Sequence, residues 1–399
     1  MRILPIAASA LAGVALLATA AYADDAPASA PAAAPAAPAA PAPPAFSLGM
    51  DGPIVINPTP YVVNSGPLGS VTINGAVSGL MFAQNHHAPG DHSSIGDVPN
   101  AQLLIEKTDG MFQWFVDAGS YSFPTVGVPY TKASRNTTAT FGNIPVAYVK
   151  FVPNAAFSVQ VGKLPTVLGA EFNYTFENMN IQRGLLWNQE NLVTRGVQAN
   201  YTYGPVAVAV SVNDGFYSNA LSTVSGSATW TINAANTVVA AASTNTRKSY
   251  VSNSATSPVF NDSSIYNLIY THTDGPWTIT PYVQYTSIPS LPGLGTTAGS
   301  TTGAALFVSY AFPSVSGLSL PVRLEYISSK GLAKTGPNPL GYGNGSTATS
   351  FTVTPTYQWK IYFVRGEVSY VNVSGGSGFG ANGLAKSQAR ALLETGVLF

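Results

Sequence analysis

The sequence predicts an all-β protein, a transmembrane antiparallel up-and-down β-barrel of about 16 strands with short periplasmic turns and long external loops. Three observations predict it. Only 9% of the 399 residues are charged, whereas a soluble domain has roughly 25%. From residue 71 onward, apolar and polar residues alternate with the period of two that is typical of strands. Tight turns also alternate with long stretches rich in Gly, Ser, Thr and Asn, which is the pattern of outer-membrane barrels.

The composition excludes several classes of protein. The chain has no cysteine, which excludes disulfide scaffolds, thiolate metal sites and cysteine nucleophiles. The formal net charge is +0, which argues against a nucleic-acid partner held by bulk electrostatics. The aromatic content, with 20 Tyr and 18 Phe, argues against intrinsic disorder.

The first 70 residues form two predicted segments that precede the barrel. Residues 1–23 are predicted to be a secretory signal peptide, because Arg2 is followed by an apolar stretch and the small-x-small site Ala21-Tyr22-Ala23. An uncleaved membrane anchor is the alternative. Residues 24–70 are predicted to be an Ala/Pro-rich periplasmic tether and lead-in. The Ala/Pro composition favours an extended conformation. Spacing from the cell wall is a possible role of the tether.

Strict alternation is clearest in three windows, where helical spacing does not fit. These are residues 111–119, 205–213 and 318–328. In the last window, Leu324 and Tyr326 lie on the predicted lipid face, and Arg323 and Glu325 lie on the opposite face. This alternation assigns an inside and an outside to each strand.

Residues 71–399 are predicted to form the barrel. Its sixteen strands begin near residues 71, 100, 111, 142, 156, 195, 206, 227, 237, 263, 277, 303, 317, 349, 360 and 387. Each strand with its connection takes about 20 residues, and a membrane crossing needs ~9–11 of them. Pro281, Pro321 and Pro355 fall inside strands, where each loses a ladder hydrogen bond, so we expect bulges or shifted boundaries there.

Charged residues within the strands fall on the face opposite the apolar one. A basic side chain facing lipid at mid-bilayer costs ~2–4 kcal/mol, so these residues are predicted to line the lumen. The predicted lumen wall is Glu106, Asp117, Lys150, Arg323, Glu325, Arg365, Glu367, Arg390 and Glu394. Opposite signs lie close together along single strands, which predicts weak net selectivity.

The chain ends in a strand whose last residue is the aromatic Phe399. Its lipid face is predicted to be Ala391, Leu393, Thr395, Val397 and Phe399. This ending resembles the C-terminal signal through which the bacterial outer-membrane assembly machinery receives its substrates. The last strand of a soluble sandwich is the alternative, although the sequence offers no second hydrophobic face for it.

The longest connection, residues 164–194, is the predicted pore constriction loop. It contains Glu171, Glu177, Arg183 and Glu190, with Arg195 at its end. A polar loop folded into the lumen would narrow an aqueous channel and place fixed charges at its narrowest section. A solvated external loop or a subunit contact is the alternative.

Residues 159–216 resemble the OmpL-like outer-membrane β-barrel porin family. Four motifs carry the resemblance: VGKLPTVLGAE at 161–171, NIQRGLLW at 180–187, TRGVQA at 194–199 and VNDG at 212–215. The resemblance implies a porin-like channel and brings no catalytic residues.

Two kinds of chemistry are the alternatives to a channel. His86, His87, Asp91 and His92 are close in sequence and could bind a metal, but no further ligand is evident, so no metal or cofactor is predicted. A serine hydrolase would need an orienting acid and a histidine base. His272, the remaining histidine, lies beside a predicted periplasmic turn, so an enzyme is not predicted.

The predicted function is passive diffusion of small hydrophilic solutes and ions through the bacterial outer membrane. Three loop carboxylates against Arg183 predict a weak preference for cations. The alternative is a plugged or narrow structural barrel that tethers the outer membrane to the cell wall. Outer-membrane lipid and a homotrimer are the other expected partners.

Overall fold

A computed structural model describes most of the region predicted to form the barrel. The described residues are 50, 52–66, 69–88, 91–248, 258–294, 297–331, 342, 345–376 and 378–399. The predicted signal peptide 1–23 and the Ala/Pro-rich part of the tether lie outside them. In this described part of the chain, none of the helices has the length and hydrophobicity required to cross a membrane.

Eighteen strands account for most of the described residues. They are β1 (Tyr61–Asn64), β2 (Ser70–Gln84), β3 (Ser94–Lys107), β4 (Phe112–Tyr121), β5 (Val146–Asn154), β6 (Phe157–Pro165), β7 (Val193–Tyr203), β8 (Val206–Asn213), β9 (Thr223–Asn233), β10 (Asn236–Asn245), β11 (Ser264–Asp274), β12 (Trp277–Ile288), β13 (Gly299–Ala311), β14 (Leu318–Gly331), β15 (Thr347–Val353), β16 (Thr356–Trp359), β17 (Tyr362–Ser374) and β18 (Ser387–Leu398). Two short helices are α1 (Ala133–Ala139) and α2 (Pro258–Asn261). Single 3₁₀ turns lie at Thr175–Glu177, Trp187–Gln189 and Pro292–Leu294.

The strands form a closed antiparallel ring of sixteen. Each strand from β2 to β14 pairs with the next, and β18 pairs with β2, which closes the ring. β15 and β16 both pair with β14 and with β17, so they are one interrupted strand. β1 pairs with the first residues of β2 and lies outside the ring. The predicted fold class is confirmed.

Prolines interrupt the ladders where the sequence suggested they would. Between β14 and its partner strand, pairing stops at Val322↔Val353 and resumes at Ser319↔Thr356. Pro321 and Pro355 lie in that gap. Neither has a backbone N–H to donate to the ladder, which explains why pairing is interrupted there. The register between β11 and β12 likewise skips from Ile269↔Tyr282 to His272↔Ile279, and Pro281 lies in the skipped stretch.

The first long loop is shorter than the sequence suggested. β3 begins at Ser94 rather than near residue 100. The ladder between β2 and β3 shifts register between Ser78 and Leu80, opposite Val98 and Pro99. The bulge accommodates Pro99 within β3, since a bulged residue need not donate a ladder hydrogen bond. The segment before residue 100, which the sequence predicted to be a loop, is therefore a strand.

The two faces of the barrel differ as the alternation predicted. Apolar side chains such as Val149, Val197 and Leu393 are exposed on the outside, whereas charged side chains such as Arg365 and Glu394 point inward and are buried. On β14, Leu324 and Tyr326 are about half exposed, whereas Arg323 and Glu325 are buried. Short connections such as Asp274–Trp277 lie at one end of the barrel, and the connections at the other end are longer. We call these the short-turn end and the long-loop end.

Candidate functional site

The connection between β6 and β7 lies inside the barrel. It starts after Pro165 at the long-loop end and returns at Val193. Nearly all of its side chains from Glu171 onward are buried, and Ile181, Gln182 and Arg183 are fully enclosed. We call residues 166–192 the inner loop. Because its backbone leaves the sheet, its peptide groups need partners from the surrounding wall, and the wall supplies them.

Arg365 of β17 holds the first half of the inner loop. Its guanidinium donates hydrogen bonds to the carbonyl oxygens of Thr175 at 2.7 Å, Asn178 at 2.9 Å and Met179 at 2.7 Å. Five fixed N–H donors make arginine suited to several carbonyls at once. The carboxylate of Glu394 lies 3.8 Å from the same guanidinium.

Glu367, two residues further along β17, binds the middle of the inner loop. Its carboxylate accepts hydrogen bonds from the backbone N–H of Ile181 at 2.6 Å and of Gln182 at 3.1 Å. The side-chain amide of Gln182 also donates to it at 2.8 Å. Thr354 donates its hydroxyl from the neighbouring strand at 2.7 Å. The bonds from Ile181 and Gln182 fix the loop's position across the lumen, and the bond from Thr354 orients the Glu367 carboxylate.

Arg323 and Glu325 of β14 bind the inner loop at Glu171 and again over residues 182–185. Arg323 forms an ion pair with Glu171 at 2.5 Å and donates to the carbonyl oxygen of Gln182 at 2.7 Å. It also lies 3.2 Å from the carboxylate of Glu325. Glu325 accepts a hydrogen bond from the backbone N–H of Leu185 at 2.7 Å. The predicted wall pair therefore anchors the loop.

The pair on the last strand completes the anchorage. Glu394 accepts hydrogen bonds from the hydroxyls of Thr175 at 2.5 Å and Ser78 at 2.8 Å. Arg390 donates to the carbonyl oxygens of Thr125 at 2.7 Å and Val128 at 2.6 Å. It therefore joins the loop that follows β4 to the barrel wall.

The three carboxylates of the inner loop are all buried. Burial raises the pKa of Glu171 to about 7, although the guanidinium of Arg323 acts in the opposite direction. Burial raises the pKa of Glu190 to about 8, while a hydrogen bond from the Tyr282 hydroxyl at 2.7 Å lowers it in part. Burial also raises the pKa of Glu177 well above its usual range. The loop is therefore less negative near neutral pH than a count of its carboxylates suggests.

The two arginines predicted for this loop have different partners. Arg183 is buried beside the aromatic rings of Phe123 and Trp187, and burial lowers its pKa to about 10. Arg195 lies on β7, forms an ion pair with Asp214 at 2.6 Å, and sits 3.8 Å from the centre of the Tyr217 ring.

The remaining predicted lumen residues occupy other parts of the wall. Asp117 accepts a hydrogen bond from the Tyr174 hydroxyl of the inner loop at 2.6 Å. Glu106 is buried on β3, and Lys150 is half-buried on β5. Neutral polar residues also bind the loop, and the sequence reasoning missed them because it considered only charges. Tyr282 is one example, and its inward position on β12 follows from the same alternation.

Cavities remain on both sides of the inner loop. One of about 170 Å³ lies towards the long-loop end and is lined partly by Trp187, Glu190 and Phe216. A larger one of about 840 Å³ lies at the short-turn end, between Met179 and wall residues that include Thr278.

The histidines of the first long loop do not form a metal site. Among the residues that the structure describes, no three His, Asp or Glu side chains lie close enough together to hold a metal ion. His86 Nδ1 lies 2.7 Å from the carbonyl oxygen of Ser387, and His87 Nδ1 lies 3.3 Å from that of Ala88. His92 and Asp91 are exposed or half-buried on the same loop.

Residues 70–399 match the family described as "Putative beta-barrel porin-2, OmpL-like". No curated protein matches the chain. Similar solved structures include in-vitro folded OmpT, an outer membrane protein of Vibrio cholerae, with a TM-score of 0.57 at 10% identity over 85% of this chain and 99% of that one. The outer membrane channel DcaP of Acinetobacter baumannii gives 0.55 at 12% identity over 82% and 97%. An anion-selective porin from Comamonas acidovorans gives 0.54 at 12% identity over 82% and 99%. At these identities the structures show a shared fold.

Proposed function

Because the chain belongs to the OmpL-like beta-barrel porin-2 family and is an outer-membrane porin, we propose that its channel passes small hydrophilic solutes and ions by passive diffusion. No cofactor takes part. The observation that carries this proposal is a closed sixteen-strand ring whose lumen is polar and is crossed by one anchored loop. Water-accessible cavities above and below that loop support a path for solutes beside it.

The inner loop is the proposed constriction. Its contacts run to β12, β14, β17 and β18, so it is fixed at a defined depth rather than free to swing. A loop held by charged wall residues on several strands narrows the channel without closing it. Glu171, Glu177, Arg183 and Glu190 are the charged groups proposed to set the field there, with Arg195 beside the entrance.

The test is conductance of the purified protein in a planar bilayer. We expect stepwise ion currents, with a conductance below that of a sixteen-stranded barrel lacking an inner loop. Correctly folded protein that stays silent would contradict the proposal. Folding is checked by the change in gel mobility between unheated and heated protein, so that a silent trace is not mistaken for unfolded protein.

A narrow or plugged barrel is the second candidate, and one observation favours it. Almost every inner-loop side chain from Glu171 to Leu192 is buried, which leaves little of the loop facing water. Swelling of liposomes in isotonic solutions of sugars of increasing size separates the two functions. A diffusion channel swells the liposomes at rates that fall with solute size, whereas a plugged barrel gives no swelling with any of them.

A weak cation preference is the proposed selectivity, and it depends on pH. With the pKa of Glu171 at about 7 and that of Glu190 at about 8, these carboxyls ionise as the pH rises through those values. The preference is therefore small near neutral pH and grows in alkaline solution. Reversal potentials in a salt gradient measure it.

Export and assembly complete the proposal. Residues 1–23 are removed as a signal peptide, which N-terminal sequencing of the mature protein tests by a first residue of Asp24. The strand that ends in Phe399 is the proposed recognition signal for the assembly machinery, and the backbone of Phe399 pairs with Gly75 through bonds of 2.7 and 3.0 Å. A homotrimer is the proposed assembly, and a structure of Vibrio cholerae OmpT is described as a trimer form.

A further inference from the structure

The residues that precede β1 enter the barrel at the short-turn end. Ile54 is only 1% exposed and belongs to the same apolar cluster as Ala76, Phe363 and Leu398. Those three residues are inward members of β2, β17 and β18, which are adjacent in the ring. Ile54 therefore lies inside the wall rather than along the rim.

Two further contacts fix this segment. Val55 forms a pair of backbone hydrogen bonds with the side chain of Gln358 on β16, where its N–H donates at 2.7 Å and its carbonyl accepts at 2.8 Å. Gly52 lies directly against the inner loop, because a Cβ at this position would come within 2.7 Å of the carbonyl oxygen of Asn178. The segment is thus held between the barrel wall and the underside of the inner loop.

The segment also forms one side of the larger cavity. Met50, Gly52 and Pro53 line it together with Met179 of the inner loop. The opposite side is formed by inward hydroxyl-bearing residues of β11 to β14, among them Thr271 and Ser319. The space left for solutes at this end therefore lies between the segment and that polar wall.

We infer that Met50 and residues 52–56 form a second constriction, which sets the width of the periplasmic exit and supports the inner loop from below. This inference rests on the proposed channel. Ile54 anchors the segment in the wall, and Met50, Gly52 and Pro53 line the passage, so the segment narrows the exit. The segment lies within residues 24–70, which the sequence predicts to be the tether and lead-in.

The first test asks where the segment lies and does not depend on conductance. Because the chain has no cysteine, Ile54→Cys introduces a single thiol that is buried, while Val55→Cys introduces one at a position that is 67% exposed. A bulky maleimide is expected to label the second variant at least ~10-fold faster, since opening the segment costs free energy and a tenfold ratio corresponds to ~1.4 kcal/mol. Equal labelling rates in the folded barrel would overturn the inference.

The second test measures the width of the exit. Deleting residues 50–57 while keeping residues 24–49 is expected to raise single-channel conductance roughly 1.5-fold, since two narrow sections in series add their resistances and the deletion removes one of them. Gln358→Ala removes both hydrogen bonds to Val55 and is expected to give a smaller rise and faster labelling at Ile54→Cys. Gln113→Ala is the matched control, because this glutamine bonds only to a carbonyl oxygen at the turn between β3 and β4 among the described residues.

The outcomes separate this inference from the proposed function. A conducting wild type with an unchanged deletion variant overturns the second constriction and leaves the channel standing. If the wild type is silent and the deletion variant conducts, the segment is the part that blocks the channel. That result supports the second constriction and overturns free diffusion through the intact protein. If both are silent, the proposed channel fails, and the labelling rates alone decide whether the segment is inserted.

Discussion

Replacing Arg365 by methionine should loosen the inner loop while leaving the barrel intact. The substitution keeps a long unbranched side chain on β17 and removes three hydrogen bonds from a fully buried guanidinium to Thr175, Asn178 and Met179. The ladder between β17 and β18 uses only backbone groups, so strand pairing from Tyr362↔Val397 onward is not affected. The loss therefore falls mainly on the attachment of the loop, and within the wall it removes only the contact with Glu394 at 3.8 Å and a hydrogen bond of 3.4 Å to the Thr356 hydroxyl.

The magnitude follows from the burial of the groups. A hydrogen bond that involves a charged partner contributes ~1.5–3 kcal/mol, so three of them set an upper bound of roughly 5–9 kcal/mol. Water can enter the space left by the guanidinium, and removing one member of a buried charged pair typically costs ~3–5 kcal/mol. We take ~3 kcal/mol as the loss, which changes the ratio of docked to undocked loop about 100-fold.

Single-channel recording is the assay. We expect larger mean conductance and more open-channel noise in Arg365→Met, because the loop then leaves its position during recording. Arg135→Met is the control, since Arg135 is exposed on α1 and the same guanidinium is lost without a contact to the inner loop. If Arg365→Met folds, as judged by its gel mobility, and its trace matches both wild type and control, then Arg365 does not hold the loop and the reasoning fails.

Four further outcomes are expected. Replacing the inner-loop carboxylates Glu171, Glu177 and Glu190 by Gln should shift the reversal potential in a salt gradient towards anions, most visibly above about pH 8; no shift would mean that these groups lie outside the field of the pore. Raising the pH from about 6 to about 9 should move the wild-type reversal potential towards cations, because carboxyls with raised pKa values gain charge, and the triple variant should respond less. Gly75→Val should reduce the yield of assembled barrel several-fold, since a Cβ there would come within 2.3 Å of the Phe399 ring; normal yield would show that this contact is dispensable. Light scattering of the detergent-solubilised protein should give three times the mass of the chain, and a single-chain mass would remove the trimer.

The sequence alone determined the barrel, its strand number and its inward and outward faces. These properties are local, because alternation within one strand assigns each residue to a face whatever its partners are. On β14, Arg323 and Glu325 had to face inward once Leu324 and Tyr326 were assigned to lipid. The proline interruptions are equally local, since a missing N–H weakens a ladder wherever it occurs.

Only the tertiary structure decided what crosses the lumen. Glu367 meets the backbone of Ile181 across 186 positions of sequence, and Val55 meets Gln358 across 303. The local sequence pattern does not specify either pair. Which side chains meet inside the lumen depends on how the whole ring closes, because closure brings residues from distant strands and loops together. The burial that raises the pKa values of Glu171 and Glu190 has the same origin, so their charge follows from the fold of the loop and could not be counted from the sequence.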